Sequence, residues 1–440
     1  IYDFFGASYL VYRLFYLFIL LVGTFSLYSS LKGILGSNFW ATSISLLMYC
    51  SPVYIFYGVS FLTDVPAMCF IFVALNFLVM YFKGKKGSYF IWAMLFIALA
   101  GLIKVSSLII FVFLLFVFLI EMLGIKSLGN KTLFQRKWHE ILGFSIVFAA
   151  LSLWYAYAHY YNDTHDFKYT FNNIYPLWSA GEEQMQEVYQ FFTNFASYIF
   201  FSRPLLYLLS FLFLFNLLLY KKLSPLAYLA NIIITMGGVF YWILWAPLMG
   251  VHDYYYAALL VLLLAILIPF ITYLKNHRPK VYTSYITKTL TLFFLAYNFI
   301  YCLEVTKLKT KGSGTFTEYV LNNDDFVSKL TYTSWHTRSF WHNYEKLSPQ
   351  LSSMGVKKDD LIISLPDPSF NASLFLLKRK GWTNFENLNS KEKIQFHIQK
   401  GAKYLISTQE NFENSKFLHD QVIELMGSYK DLVIYRLKKE

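Results

Sequence analysis

The chain has few charged residues and few cysteines for its length of 440 residues. Only 15% of the residues are charged, whereas a soluble domain has about a quarter, so an ordinary soluble protein is excluded. The three cysteines, Cys50, Cys69 and Cys302, lie in apolar runs, which excludes a disulfide framework and a cysteine zinc site.

Hydrophobic residues are abundant instead: they make up 57% of the chain, with 45 Phe and 36 Tyr. This composition excludes disorder and indicates a chain that is surrounded mainly by lipid. The net charge of +12 has three interpretations at this point, namely a nucleic-acid partner, an anionic membrane surface, or membrane topology.

The charged residues are unevenly distributed along the chain. Residues 304–440 hold 36 of the 64 charged residues, and residues 1–303 hold the other 28. We therefore predict a polytopic membrane domain in residues 1–303 and a water-soluble domain in residues 304–440. The composition of residues 307–314 (KLKTKGSG) is typical of a flexible junction.

A membrane-spanning helix needs about 20 mainly apolar residues. Measured against that length, the sequence predicts a mainly α fold with about ten spans, at residues 9–31, 39–58, 64–82, 88–103, 105–124, 140–160, 196–219, 225–248, 254–274 and 285–303.

The basic residues predict the orientation of these spans. When the apolar run 91–120 is divided near residues 101–107, 14 of the 18 basic residues before Glu304 fall on one side. Cytoplasmic loops are enriched in Lys and Arg, so this side is predicted to be cytoplasmic. The first residues and the domain 304–440 are then extracytoplasmic. The positive charge is a topology signal and gives no indication of a nucleic-acid partner.

The start of the chain leads to a further expectation. The sequence begins at Ile1 rather than Met and is predicted to begin outside the membrane. We therefore expect one upstream span and its external loop to be missing from this sequence.

Ionisable groups at membrane depth are costly and are candidates for function. Asp64, in the turn GVSFLTDVP (58–66), is either a capping carboxylate at a helix N-terminus or a functional acid. Lys104 is the one charged residue between Lys86 and Glu121. It is either a snorkelling side chain or a partner for a phosphate or carboxylate in the same cavity as Asp64.

Two further places on the predicted outer side carry such groups. His252 and Asp253 stand at the start of a span, followed by tyrosines that include Tyr255. They form either a polar turn in an aromatic belt, or a site that orients an acceptor hydroxyl, binds a metal or contacts a sugar. Arg203 is either an interfacial anchor or a phosphate clamp, and the anchor is favoured.

The C-terminal part alternates between strand and helix patterns. Strands are predicted at residues 359–366, 404–407 and 432–437, and helices at residues 373–380 and 390–400. This order predicts a small extracytoplasmic α/β domain. It contains neither a glycine-rich phosphate loop nor a nucleophile elbow.

Four stretches carry a family resemblance through their order, spacing and shared predicted side. They are FGASYLVYRLFYLF (5–18), SPVYIFYGVSFLTDVPAM (51–68), ALAGLIKVSSLI (98–109) and HDYYYAALLVLLLAIL (252–267). Together they resemble the lipid-linked-sugar glycosyltransferases of the GT-C fold, in particular the bacterial family related to protein O-mannosyltransferases and the lipid A aminoarabinose transferase. The resemblance covers most of residues 1–303.

The resemblance implies an inverting glycosyltransferase in the bacterial inner membrane. Such an enzyme moves a sugar from a polyprenyl-phosphate donor to a glycan, lipid or protein acceptor at the outer face. In this family the main base is an acidic residue of the first external loop, which is expected upstream of Ile1. The chain as given is therefore expected to be inactive.

The resemblance also implies roles for the candidate residues. Asp64 is then a second acidic group that orients the acceptor or a divalent metal, and Lys104 and Arg203 meet the donor phosphates. His252, Asp253 and Tyr255 then line the cavity. The cofactor, the sugar and the acceptor are left open by the sequence.

Two other functions are compatible with the same features. A transporter or flippase of lipid-linked glycans shares apolar helices and a polar cavity, and broken helices in matched positions favour it. A non-catalytic membrane scaffold is the other alternative. Acidic and basic groups at the predicted external turns argue against a scaffold.

Overall fold

The computed structural model describes residues 9–60, 62–125, 132–134, 137–165, 174–250, 252–321, 323–367, 369, 371–384 and 388–438, with the backbone alone at residues 137 and 332–339. The chain divides into two compact units. The helical unit is built from Tyr9–Tyr161 and residues 172–329, and the sheet unit mainly from residues 330–440.

The first part of the chain is almost entirely helical. Its α-helices are α1 Tyr9–Leu35, α2 Asn38–Met48, α3 Pro52–Gly58, α4 Asp64–Gly84, α5 Gly87–Ile103, α6 Ile109–Met122, α7 Lys137–Thr164, α8 Glu182–Phe191, α9 Ser197–Phe200, α10 Arg203–Leu218, α11 Pro225–Met249, α12 Val261–His277, α13 Pro279–Thr283, α14 Tyr285–Lys311, α15 Thr317–Val320 and α16 Asp324–Leu347.

Shorter helical turns join some of these helices. Two 3-10 segments, Val105–Leu108 and Asp253–Leu260, lead directly into α6 and α12. A π-helical turn, Phe192–Ala196, joins α8 to α9.

The predicted spans coincide with the observed helices. Among the described residues, seven helices are long and apolar enough to cross a membrane, and two bent pairs raise the number to nine. A further apolar helix, α5, has 17 residues, at the short end of the range for a membrane span. The fold class is thus confirmed as mainly α, with a polytopic helical bundle.

Residues 5–8 of the stretch 5–18 lie outside the described part, as do the predicted cytoplasmic residues Lys126, Lys131 and Arg136.

The two bent pairs break at serine and proline residues. The axes of α2 and α3 differ by 74°, and Ser51 and Pro52 lie at the junction. The axes of α8–α9 and α10 differ by 96°. At this second break the Ser202 hydroxyl accepts from the Leu205 N–H at 3.4 Å, and Pro204 lies in the first turn of α10. Proline fits a first helical turn but interrupts a helix that runs through it, so each break begins a new helix.

The predicted flexible junction at residues 307–314 is wrong for its first five residues. These residues complete α14, which ends at Gly312 in the left-handed conformation. The buried Glu304 carboxylate accepts from Lys307 Nζ at 2.8 Å and from the Phe316 N–H at 2.9 Å. These bonds hold the end of α14 and the following turn together, which composition alone did not predict.

Buried polar side chains connect the helices of the bundle. Asn216 Nδ2 of α10 donates to Asn231 Oδ1 of α11 at 3.1 Å and to the Ile266 carbonyl of α12 at 2.9 Å. Ser202 Oγ donates to Asn298 of α14. Interhelical hydrogen bonds of this kind contribute about 0.6 kcal/mol each on average in membrane proteins.

A five-stranded sheet organises the sheet unit, with the strand order β2-β1-β3-β5-β4. Strands β1, β2 and β3 are parallel, and β5 is antiparallel to β3 and β4. The strands and helices are β1 Leu361–Leu365, α17 Ala372–Leu377, β2 Lys380–Thr383, α18 Lys391–Gln399, β3 Ala402–Thr408, α19 Gln409–Asn414, α20 Lys416–His419, β4 Val422–Tyr429 and β5 Leu432–Leu437.

Alternate strand residues face two separate cores. Ile362 and Ile406 pack with Tyr344 on one face, whereas Ile363 and Leu405 pack with Ile398 on the other. A period of two in the strand pattern produces this division. The prediction of a small α/β domain is confirmed for the described residues.

Strands β2 and β4 are absent from the sequence prediction. Both lie at the edges of the sheet. Lys380 was assigned to a helix, and β4 exposes Ile423, Glu424 and Leu425 in succession. Successive side chains of a strand point to opposite faces, so both faces of β4 are open at these residues. Such a strand lacks the alternation of apolar and polar residues by which a half-buried strand is recognised.

Close packing of α1 against α4 generates a stability prediction. A Cβ atom on Gly23 would lie 2.5 Å from Cys69 Cβ and 2.8 Å from Cys69 Cα. Gly23→Val should therefore push the helices apart and cost about 1–3 kcal/mol, the usual range for overpacking. Unfolding in mixed detergent and SDS micelles measures this loss. Gly84→Val is the matched control, because a Cβ on Gly84 meets nothing within 4 Å. Equal losses in the two variants would contradict the packing argument.

Candidate active site at one end of the helical bundle

Lys83, Lys275 and two aspartates, Asp64 and Asp253, show which helix ends of the bundle lie together. Lys275 Nζ, near the end of α12, donates to the Leu35 carbonyl at the end of α1, at 2.8 Å. The side chain of Lys83, near the end of α4, lies against Gly33 of α1. The last turns of these three helices therefore meet at one basic end. Asp64 begins α4, and Asp253 begins the 3-10 segment that leads into α12, so both lie at the other end.

Asp64 is buried at the start of α4, with 4% of its surface exposed. The Thr63 side chain makes no capping bond there. The helix dipole favours a carboxylate at this position. Oδ1 of Asp64 lies 3.2 Å from Lys104 Nζ and has no hydrogen-bond partner among the described residues apart from this ion pair.

Lys104 reaches Asp64 because α5 ends at Ile103. The backbone of Lys104 is extended, with φ −155° and ψ 107°, and it separates α5 from the following 3-10 turn. Its ammonium lies 5.3 Å from the ring centroid of Tyr254 and 4.5 Å from that of Tyr255. The lysine side chain is 23% exposed, whereas that of Asp64 is 3% exposed. Asp64, Lys104 and Tyr255, three of the predicted site residues, are thus in one place.

Asp253 forms a second ion pair beside the first. Its carboxylate is paired with Lys309 of α14 and also accepts from the Tyr57 hydroxyl. Lys309 Nζ donates to the same hydroxyl at 2.9 Å and lies 4.5 Å from the ring centroid of Phe56. The sequence analysis missed Lys309 and Tyr57. Lys309 stood in the segment assigned to a flexible junction, and only continuation of α14 through it would have indicated its position.

Aromatic contacts join the two ion pairs. The rings of Tyr57 and Tyr254 meet edge to face at 5.8 Å, and His252 lies 5.3 Å from Tyr254. Partial burial lowers the pKa of His252; the Asp253 charge opposes this and the Lys104 charge adds to it. A lowered pKa favours the neutral imidazole, which has one nitrogen that donates and one that accepts. We name these residues the outer-end cluster, after the side of the membrane that the sequence predicts for them. The cluster comprises Tyr57, Asp64, Lys104, His252, Asp253, Tyr254, Tyr255 and Lys309.

Arg203 lies against other residues. Its guanidinium is 4.3 Å from the ring centroid of Tyr198 and donates to the Thr193 carbonyl at 3.4 Å. Neither partner belongs to the outer-end cluster. Both alternatives for Arg203, the interfacial anchor that the sequence favoured and the phosphate clamp, stay predictions.

The described residues do not fit a metal at Asp64. No group of three His, Cys, Asp or Glu side chains comes together anywhere in the part of the chain that the structure describes. The ammonium of Lys104, 3.2 Å from Asp64, also disfavours a second cation at that carboxylate.

Similar folds occur among solved structures. No protein-family model and no curated protein matches the chain. The structure of ArnT from Cupriavidus metallidurans bound to undecaprenyl phosphate matches 99% of this chain and 85% of that chain, with a TM-score of 0.53 and 12% identity. The apo state of the same protein matches with the same values. The chain has the GT-C fold. At this identity the likeness shows the fold alone.

The second ion pair generates a prediction that distinguishes pairing from general packing. Asp253 and Lys309 are only 14% and 18% exposed, so removing one partner leaves a largely buried charge. Asp253→Asn and Lys309→Met should each cost about 3 kcal/mol of unfolding free energy, whereas the double variant should lose much less than the sum. Unfolding in mixed detergent and SDS micelles measures the free energies of the unchanged protein and the three variants, which together form a double-mutant cycle. Additive losses would show that the two side chains do not depend on each other.

Proposed function

We propose that the protein is a glycosyltransferase that moves a sugar from a polyprenyl-phosphate donor to an acceptor, with inversion at the anomeric carbon. The observation that carries this proposal is the outer-end cluster, where two carboxylates and two ammonium groups meet within a GT-C fold. The ArnT structure with undecaprenyl phosphate supports the choice of donor class, because a protein of similar fold holds a lipid phosphate.

Lys104 is proposed to bind the donor phosphate. Departure of the sugar leaves negative charge on the polyprenyl phosphate, and a fixed ammonium stabilises that charge most effectively where water is excluded. Lys104 fits this role because it is partly exposed and has a single carboxylate partner among its described contacts. The faces of Tyr254 and Tyr255 hold its ammonium in position.

Asp64 is proposed to orient the acceptor hydroxyl. Its buried Oδ1 receives no hydrogen bond from the described residues. A hydroxyl of the acceptor donating to this oxygen would satisfy it. We assign the general base to none of the described residues. His252, Asp253 and Tyr255 are proposed to line the cavity, and Arg203 to approach the donor phosphates from its position at Tyr198.

One observation favours a second candidate, a transporter of lipid-linked glycans. Broken helices are typical of transporter binding sites, and the break between α2 and α3 lies in the helix pair that carries Tyr57. Sugar transfer and lipid translocation are separable, because only a transferase forms a new glycosidic bond. Vesicles reconstituted with the full-length protein, a radiolabelled donor and a mixed glycan and lipid acceptor extract distinguish these outcomes.

Binding of polyprenyl phosphate is the direct test of the transferase proposal, since binding does not require the base. Lys104→Met should weaken binding about 10- to 100-fold, as expected for loss of a charge-assisted hydrogen bond. Native mass spectrometry of the detergent-purified protein measures this change. Lys222→Met is the matched control, because Lys222 is an exposed lysine outside the cluster. Equal affinity in Lys104→Met and the unchanged protein would remove Lys104 from the donor site.

Sugar transfer by the full-length protein, which includes the expected upstream loop, tests the role of Asp64. Asp64→Asn should bind polyprenyl phosphate and lose at least about 100-fold in sugar transfer, the size expected for a group that acts on the reacting hydroxyl. Unchanged transfer would exclude Asp64 from the reaction. Translocation of the donor without any transfer by the full-length protein would instead favour the transporter.

The proposed location is the bacterial inner membrane, with the sheet unit on the extracytoplasmic side. Single added cysteines test this orientation, because Cys50, Cys69 and Cys302 are buried. In spheroplasts a membrane-impermeant maleimide should label Ser428→Cys at once and Lys222→Cys only after permeabilisation; both positions are exposed. The protein without added cysteine is the control. The reverse labelling pattern would invert the proposed topology.

A further inference from the structure

A second cleft lies beside α8 in the helical unit, and the outer-end cluster does not use it. It has a volume of about 370 Å³, within the range of about 300–1,000 Å³ that is typical of small-molecule sites. Three segments form its walls: α8 with the π-helical turn, the end of α11, and the start of α16.

The floor of this cleft is aromatic. The rings of Phe191 and Phe195 lie 4.9 Å apart, and those of Phe195 and Phe326 lie 5.1 Å apart. Phe326 is buried, whereas the other two are half-buried, so Phe191 and Phe195 carry the accessible aromatic surface of the floor. Flat apolar rings of this kind pack against the C–H face of a pyranose ring.

The rim of the cleft is polar. Asn194, Gln184 and Gln190 contribute amides, each of which donates and accepts hydrogen bonds. Glu187 and Asp325 contribute carboxylates, which accept only. Sugar hydroxyls both donate and accept, so a rim of amides and carboxylates above an aromatic floor matches a saccharide.

The charges of the rim disfavour an anionic ligand. The charged groups that line the cleft are two carboxylates, of Glu187 and Asp325, and one ammonium, of Lys329. This ammonium lies over the floor, 5.7 Å from the ring centroid of Phe191 and 5.1 Å from that of Phe195. A free phosphate or phospholipid headgroup would meet net negative charge here, whereas a neutral sugar or an amino sugar would not.

The backbone is irregular at this place. The π-helical turn Phe192–Ala196 carries both Asn194 and Phe195, so one turn supplies a rim amide and a floor ring. Such turns interrupt α-helices mostly at functional sites. The cleft is also close in sequence to the outer-end cluster, since Gly250 lines the cleft and Asp253 follows three residues later.

We infer that this cleft binds a pyranose ring of the acceptor, which is therefore a glycan or a glycolipid rather than a peptide. The inference rests on the proposed function for its assignment to the acceptor. The saccharide chemistry of the cleft does not rest on that function. A pyranose is also present in the donor, so the test must separate the two sources.

Saturation-transfer difference NMR of the detergent-purified chain tests the inference directly. The probes are neutral methyl pyranosides and their di- and trisaccharides, together with a tripeptide. We expect saturation at the ring C–H protons of at least one saccharide, received from the aromatic floor, and none at the tripeptide. Glu187→Gln should reduce this signal at least fivefold. Glu183→Gln is the matched control and should leave it unchanged, because Glu183 is exposed on the same helix and does not line the cleft.

Each result decides one question. Absence of signal from every saccharide, equal signals in Glu187→Gln and Glu183→Gln, or binding of the tripeptide alone would overturn the inference. Displacement of the saccharide by a polyprenyl-phosphate sugar would assign the cleft to the donor and overturn the acceptor assignment. Saccharide binding without any affinity of the unchanged protein for polyprenyl phosphate would reject the proposed function while retaining the saccharide site.

Discussion

Charge in an apolar bundle is stable only where it is paired, and the outer-end cluster satisfies this constraint through helix ends. Asp64 and Asp253 each begin a helical segment, whereas Lys104 follows the end of α5 and Lys309 lies in the last turn of α14. Helix dipoles favour a carboxylate at an N-terminus and an ammonium at a C-terminus. Antiparallel neighbours place these ends side by side, so the bundle topology itself brings opposite charges together.

The two ion pairs differ in how completely their groups are satisfied. Asp253 has two partners, the ammonium of Lys309 and the hydroxyl of Tyr57, whereas Asp64 Oδ1 has the ammonium of Lys104 alone among the described residues. A buried, incompletely satisfied carboxylate is costly, and a ligand that completes its hydrogen bonding recovers part of that cost. The Asp253–Lys309 pair therefore mainly stabilises the fold, and the Asp64–Lys104 pair is the better candidate for chemistry.

Much of this arrangement could be predicted from the sequence, because it depends on local patterns. Apolar runs of span length predict the helices, and the distribution of lysines places Asp64 and Lys104 on one predicted side. Lys309 could not be found in this way, since its helix continues beyond the apolar run into a segment rich in Lys and Thr. Strand β4 forms a hairpin with β5 through the two residues 430 and 431, but it could not be recognised from the sequence, because its exposed residues carry no hydrophobic alternation.

In the 3-10 segment Asp253–Leu260, neighbouring tyrosines contact different parts of the helical unit. With three residues per turn, successive side chains point about 120° apart, and runs as long as eight residues are uncommon. Tyr254 and Tyr255 face Lys104, whereas the buried Tyr256 lies 6.5 Å from Phe191 on the floor of the second cleft. One short segment therefore contacts both the outer-end cluster and the aromatic floor, so a shift of its backbone would displace side chains in both places.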